Sequence, residues 1–210
     1  MKTILVYSPF CTPASPSYSI NYLASFLNNN GQDVTILDLN LKFHEIKYPE
    51  YQEYYQKLKS TEYDKNEYNH KTKQFQQLTS QDYSENNKKV IKGEDPELLN
   101  ELLAQIMVHK PTSVAFSIVY SSQAFYTLAL LKRLKGLGIK TIIGGPAINE
   151  KLKQNADKTL KNEVELLEEI SGKDVEHQKL NSSKIINYKN LNNYFVPHPV
   201  VPIKTSNACY

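Results

Sequence analysis

Four short runs of nearly continuous apolar, β-branched residues, each set between helix-patterned stretches, limit what this 210-residue chain can fold into more than any motif it carries. They are Thr3-Ile4-Leu5-Val6-Tyr7, Val34-Thr35-Ile36-Leu37, Ser113-Val114-Ala115-Phe116-Ser117-Ile118 and Lys140-Thr141-Ile142-Ile143. A strand with one wet face alternates apolar and polar, whereas a run apolar throughout belongs in a parallel sheet covered on both faces. Between the first two runs, residues 17–29 carry Ile20, Leu23, Ala24 and Leu27 on one helical face, and Asn30-Gly31 supplies the stop. Strand, helix and strand with short connections make a right-handed βαβ unit. The rhythm resumes at Asp95-Pro96, which reads as a helix start with proline in the first position, followed by Leu98, Leu99, Leu102, Leu103, Ile106 and Met107 on one face. Residues 121–137 form an amphipathic helix, and a short strand near 158–161 and a helix over 164–170 complete the series. The expected fold is α/β, a doubly wound parallel sheet, with residues 174–194 as a linker.

Residues 41–95 interrupt this order. They are crowded with Tyr, Gln, Lys, Glu and Asn, and their apolar residues are too sparse for a buried strand. The expectation is a solvated, polar insertion outside the sheet, partly helical over 51–59 and 68–78, burying too little apolar area to offset its ordering. Its tyrosines either pin this excursion onto the domain or line a cofactor or partner surface.

Composition narrows the function classes. A formal net charge of +3 without a basic stripe lacks the electrostatic footprint of a nucleic-acid binder. No run has the length of a bilayer-spanning helix, and the first residues read as a strand rather than a signal peptide, so the default location is cytoplasmic. Cys11 and Cys209 are read as two separate thiols rather than a disulfide framework. Cys11 stands near a helix N-terminus, where a lowered thiol pKa is available, against the alternative of a packed small hydrophobe. The histidines are scattered in polar surroundings and none pairs with cysteine at metal-ligand spacing.

In an open parallel sheet, ligands bind beyond the carboxyl ends of the strands. Three loops leave those ends here. The first holds Pro9, Thr12 and Ser17, the second Ser117 and Ser121, and the third Gly144, Gly145 and Pro146. Small and hydroxyl-bearing residues at one edge suit a large, partly polar cofactor, with glycine letting a ligand approach the backbone. No loop carries a dinucleotide or Walker-type phosphate grip, and no catalytic set stands out.

Ser19-Ile20-Asn21-Tyr22-Leu23-Ala24-Ser25-Phe26-Leu27, the Asp38-Leu39-Asn40 turn, Ile142-Ile143-Gly144-Gly145-Pro146 and the tail Pro202-Ile203-Lys204-Thr205-Ser206-Asn207-Ala208-Cys209-Tyr210 together resemble the N-terminal half of cobalamin-binding-domain radical S-adenosylmethionine enzymes. The resemblance implies a cobalamin-binding-like domain over 1–172 with strand order 2-1-3-4-5. Residues 173–210 would be a linker and the first strand of a radical S-adenosylmethionine barrel supplied by a longer protein. It implies that Cys209 is the first ligand of a Cys-x3-Cys-x2-Cys motif for a [4Fe–4S] cluster, with cluster and S-adenosylmethionine used only in that longer protein. The visible chain would then bind a corrinoid rather than catalyse. Two departures stand out. The cobalt-ligating Asp-x-His-x-x-Gly motif is absent, and the family's Gly-Glu-Gly-Glu turn is represented by Asn162-Glu163-Val164-Glu165. The alternative is a stand-alone α/β small-ligand-binding or protein-interaction module without corrinoid.

Overall fold

The computed structural model describes residues 2–60, 62–176, 180, 186–198 and 200–203. Strands β1 (Thr3–Tyr7), β2 (Val34–Asp38), β3 (Ser113–Ser117), β4 (Lys140–Gly144) and β5 (Lys158–Thr159) form one sheet in the order 2-1-3-4-5. Every pairing is parallel, and the register sets Tyr7 beside Asp38 and Ser117 beside Gly144. The continuous apolar runs have the expected cause, because successive β1 residues enter opposite cores. Ile4 and Val6 join the larger cluster, Leu5 and Tyr7 the smaller. The polar strand residues are paired, as burial demands. Thr3 Oγ1 and Ser113 Oγ lie 2.8 Å apart, and Thr141 Oγ1 donates to Asp157 Oδ2 at 2.8 Å.

Helix α1 (Tyr18–Asn29) and helix α8 (Glu163–Ser171) cover the smaller face, with Ile20, Ala24, Leu27, Leu166, Leu167 and Ile170 turned inward. The other face receives α2 (Leu39–Lys47), α3 (Pro49–Lys57), α4 (Lys65–Ile91), α5 (Leu99–Met107), α6 (Gln123–Gly136) and the short α7 (Glu150–Asn155). Helices on both faces of a parallel sheet are consistent with a Rossmann-like fold. Helix α6 is buried around most of its circumference instead of on one stripe, because α4 packs over it. Helix α5 begins at Leu99, not at Pro96, since Leu98 adopts a left-handed conformation (φ 59°) just before it.

Residues 41–95 differ from the solvated expectation. They do lie outside the sheet, but they are helical for most of their length and their aromatic residues enter the main core. Phe43 is fully buried, and Tyr48, Tyr55 and Phe75 nearly so. Phe75 stacks on Phe195 (centroids 5.3 Å, 8°) and tilts against Tyr51 at 4.8 Å, with Tyr48 edge-on at 5.4 Å. The inward stripe of α4 runs Phe75, Thr79, Asn86, Val90, and its two polar members bond locally. Thr79 Oγ1 donates to the Phe75 carbonyl at 3.0 Å, and Asn86 bonds the Asp82 carbonyl and the Glu97 N–H. His44, expected in polar surroundings, is fully buried among these rings. Its Nδ1 lies 2.6 Å from the Asn40 carbonyl and its Nε2 2.5 Å from the Tyr83 hydroxyl, and burial lowers its pKa to about 4.

The expected linker and barrel strand also divide differently. Tyr194 and Phe195 are buried, the Tyr194 hydroxyl donates to Asp38 Oδ2 at 2.9 Å, and the Phe195 N–H donates to the Pro13 carbonyl at 2.9 Å. Val200, Val201 and Ile203, expected to lie in the first strand of a barrel, are exposed and have no strand partner among the described residues.

A buried aromatic ring removed from a packed core costs about 3–5 kcal/mol. Phe75→Ala is therefore expected to lower the unfolding free energy by that order in urea titrations followed by circular dichroism. A loss under about 1 kcal/mol would restore the solvated reading of residues 41–95.

Candidate functional site

Because all five strands run the same way, the loops after β1, β3, β4 and β5 meet on one edge of the sheet. Gln123, at the start of α6 and fully buried, ties two of them together. Its Nε2 donates to the Ser8 carbonyl at 2.7 Å, and its Oε1 accepts from the N–H groups of Val119 (2.9 Å) and Tyr120 (3.0 Å). Ser122 Oγ adds a 2.6 Å bond to the Phe10 carbonyl.

Two cavities open along this edge. The first is a slot of about 370 Å³ between the sheet and helices α1 and α8. Leu5, Ala115 and Ile142 form its floor, Leu23 and Leu166 its flanks, and Ser19, Ser117 and Gly144 reach its polar end. Across it the Tyr22 hydroxyl donates to Glu163 Oε1 at 3.0 Å, and Tyr18 stacks on Tyr22 at 5.7 Å. Burial and the adjoining Glu163 carboxylate push the Tyr22 hydroxyl up to about 12, so it stays a donor at neutral pH.

The second cavity, of about 640 Å³, is bounded by the first loop, the Tyr120-Ser121-Ser122 turn, Tyr83 of α4 and Pro202. Hydroxyls dominate it. The two spaces share Tyr18, Ser19 and Val119. Where they meet, Ser117 Oγ donates to Ser19 Oγ at 2.8 Å, and Ser19 and Ser17 hydroxyls lie 2.9 Å apart. Cys11 donates its thiol to the Tyr7 hydroxyl at 3.4 Å, and burial pushes that thiol up to about 12. It is therefore a protonated, packed thiol, not the activated one its position near a helix start allows.

The residues anticipated from sequence separate between these spaces. Thr12, Ser17 and Ser121 line the hydroxyl cavity, and Ser117, Gly144, Gly145 and Pro146 line the slot. Pro9 is buried and lines neither. Cys209 lies outside the described residues. Ser19, Tyr7, Tyr22, Tyr83 and Gln123 were not singled out. Ser19 carried the one available signal, a hydroxyl in the first turn of the helix that follows the loop.

Gly145 has a cause other than a ligand. At φ 116° a side chain there would overlap the Ile118 carbonyl oxygen and sit 2.9 Å from its carbonyl carbon and amide nitrogen. The glycine lets the β4 loop close onto the β3 loop, where Ile118 N–H donates to the Gly144 carbonyl at 2.8 Å and Ala147 N–H to the Ile118 carbonyl at 3.2 Å.

Among the described residues no group of three or more His, Cys, Asp and Glu is arranged to hold a metal ion, and no helix is long and apolar enough to cross a membrane. Fold and edge together define an α/β parallel-sheet protein with a two-part cleft at the carboxyl edge of its sheet. No protein-family model matches the chain, nor does any curated protein or solved structure.

Gly145→Ala is expected to cost about 2–4 kcal/mol of stability, since it forces strained backbone against an immovable carbonyl. Gly31→Ala, where φ is also positive but nothing lies within 4 Å, is expected to cost about 1 kcal/mol. Equal effects in chemical denaturation would mean that the Ile118 contact does not hold the loop.

Proposed function

We propose that this chain is a cobalamin-binding α/β domain of the radical S-adenosylmethionine type, binding and orienting the cofactor instead of performing chemistry itself. The observation that carries the reading is the two-part cleft. Cobalamin combines a flat heterocyclic base on a tether with a broad macrocycle bearing many amides. A narrow apolar slot opening into a wider hydroxyl-lined space at the carboxyl edge matches those two shapes in order.

In this reading Leu5, Ala115 and Ile142 receive the base, shielding it from water, while Ser19 and Ser117 bond the polar atoms at its rim. Thr12, Ser17 and Ser121 contact the macrocycle edge. None of the described residues lining either cavity is a histidine, so in this reading cobalt receives no imidazole from them. When bound, cobalamin supplies a cobalt–carbon bond for group transfer. Holding it at the sheet edge and excluding water are this chain's tasks. The [4Fe–4S] cluster, S-adenosylmethionine and the barrel that would carry them belong, in this proposal, to a partner domain of a longer protein.

A stand-alone small-ligand or interaction module is the second reading. It is favoured by one observation: Gly145, a residue expected to admit cofactor, is explained by contact with Ile118.

Titration with hydroxocobalamin, followed by its visible absorbance, separates the two. The unaltered protein is expected to bind about one equivalent. Ala115→Phe, which fills the slot from its floor, is expected to weaken binding at least tenfold while unfolding within a few degrees of the parent. Absence of binding to the unaltered protein favours the second reading, and full binding by folded Ala115→Phe removes the slot from the site.

A further inference from the structure

The hydroxyl cavity presents more hydrogen-bond donors than its own residues can use. Tyr7 is 5 % exposed; its oxygen accepts from Cys11, and its O–H has no acceptor among the described residues. Ser17, Ser19 and Ser117 carry three hydroxyl protons but share only two bonds, one from Ser117 to Ser19 and one between Ser19 and Ser17. Whichever way the second bond points, one proton of the Ser17–Ser19 pair is left without an acceptor among the described residues. Helix α1 has no side-chain cap, so its first-turn amides add further donors at the same wall. A buried donor left unmet costs about 1–3 kcal/mol, so a ligand offering acceptors is stabilised here.

The charge of that ligand follows from the surroundings. Among the described residues no Lys, Arg, His, Asp or Glu lines the cavity. The register sets Asp38 directly beside Tyr7, behind the wall, with its carboxylate held by the Leu41 N–H at 2.8 Å and the Tyr194 hydroxyl at 2.9 Å. The α1 N-terminus is equivalent to about half a positive charge, smaller than the full charge of the Asp38 carboxylate, which caps α2. Burial foremost, with a smaller contribution from this carboxylate, opposes ionisation of both Tyr7 and Cys11. Burial raises the Asp38 pKa only to about 6, so it is charged at neutral pH.

We propose that the hydroxyl cavity is a selectivity site that accepts neutral, carbonyl-bearing groups such as carboxamides and rejects the corresponding carboxylates, with Tyr7 and the Ser17–Ser19 pair donating and Asp38 repelling. The proposal rests on the reading of this sheet edge as the ligand site and adds which chemical form of ligand it admits.

The test uses a matched pair, benzamide and benzoate, titrated at pH 7.5 and followed by amide chemical shifts of the whole chain. Benzamide is expected to shift Tyr7, Ser19 and Ser121 and to bind at least tenfold better than benzoate. Tyr7→Phe is expected to weaken benzamide at least threefold. Asp38→Asn, isosteric and still able to accept from Leu41, is expected to bring benzoate to within threefold of benzamide with spectral dispersion retained. Benzoate binding as well as benzamide to the unaltered protein, benzamide shifts confined to other surfaces, or unchanged selectivity in a folded Asp38→Asn protein would each overturn the proposal. If the pair behaves as expected but hydroxocobalamin does not bind, the corrinoid reading alone fails. If hydroxocobalamin binds and benzoate equals benzamide, this proposal alone fails.

Discussion

The ring of Phe10 joins the parts of this molecule that the sequence keeps apart. It leaves the end of β1 in the first loop, is fully buried, stacks on Tyr83 of α4 at 4.5 Å, and meets Phe43 of α2 and Tyr126 of α6 edge-on at 4.9 and 5.2 Å. Aromatic pairs in such geometries contribute about 0.5–1.5 kcal/mol each beyond their area burial. One side chain thus fixes the loop that forms a cavity wall against both the sheet's own helix and the long excursion over 41–95. Tyr83 carries the linkage into the cavity, since its hydroxyl donates to the Cys11 carbonyl at 3.0 Å and touches His44 on its other side.

The sheet was legible because its physics is simple. A strand buried on both faces must be apolar throughout, and β1, β3 and β4 each occupy the stretch where that condition holds. Strand order required more than patterning and came from the family resemblance. The excursion was misread for an equally physical reason. Its core contribution comes from a few large rings such as Phe75, spaced several residues apart, each burying a large area at a single position. On α4 the inward stripe includes Thr79 and Asn86, polar residues that bond carbonyls of their own helix and, for Asn86, the Glu97 N–H beyond it. Counting apolar residues could not find that face.

The site was legible as a place more than as a set of side chains. Parallel strands send their following loops to one edge, so Ser17, Ser117, Ser121 and Gly144 fell where expected. Gly145 was noticed for its missing side chain, but what occupies that space is the Ile118 backbone, which no local pattern reveals. Gln123 was invisible for the opposite reason: a lone glutamine opening a helix looks solvent-facing, yet it is fully buried and holds two loops through three bonds. Tyr194 and Phe195 lay in a stretch that reads as linker, and only the depth of the aromatic nest accounts for their burial.

The central claim is that the sheet and the 41–95 helices unfold as one unit and together shape the two-part cleft. Native-state hydrogen exchange tests it most directly by comparing opening free energies of α4 amides near Phe75 and Thr79 with those of β1 and β3. Opening energies within about 1 kcal/mol of each other, and close to the global value, are the expected result. Exchange of α4 through an opening several kcal/mol cheaper than that of the strands would contradict the claim, and would remove Tyr83 and Phe10 from any rigid account of the site.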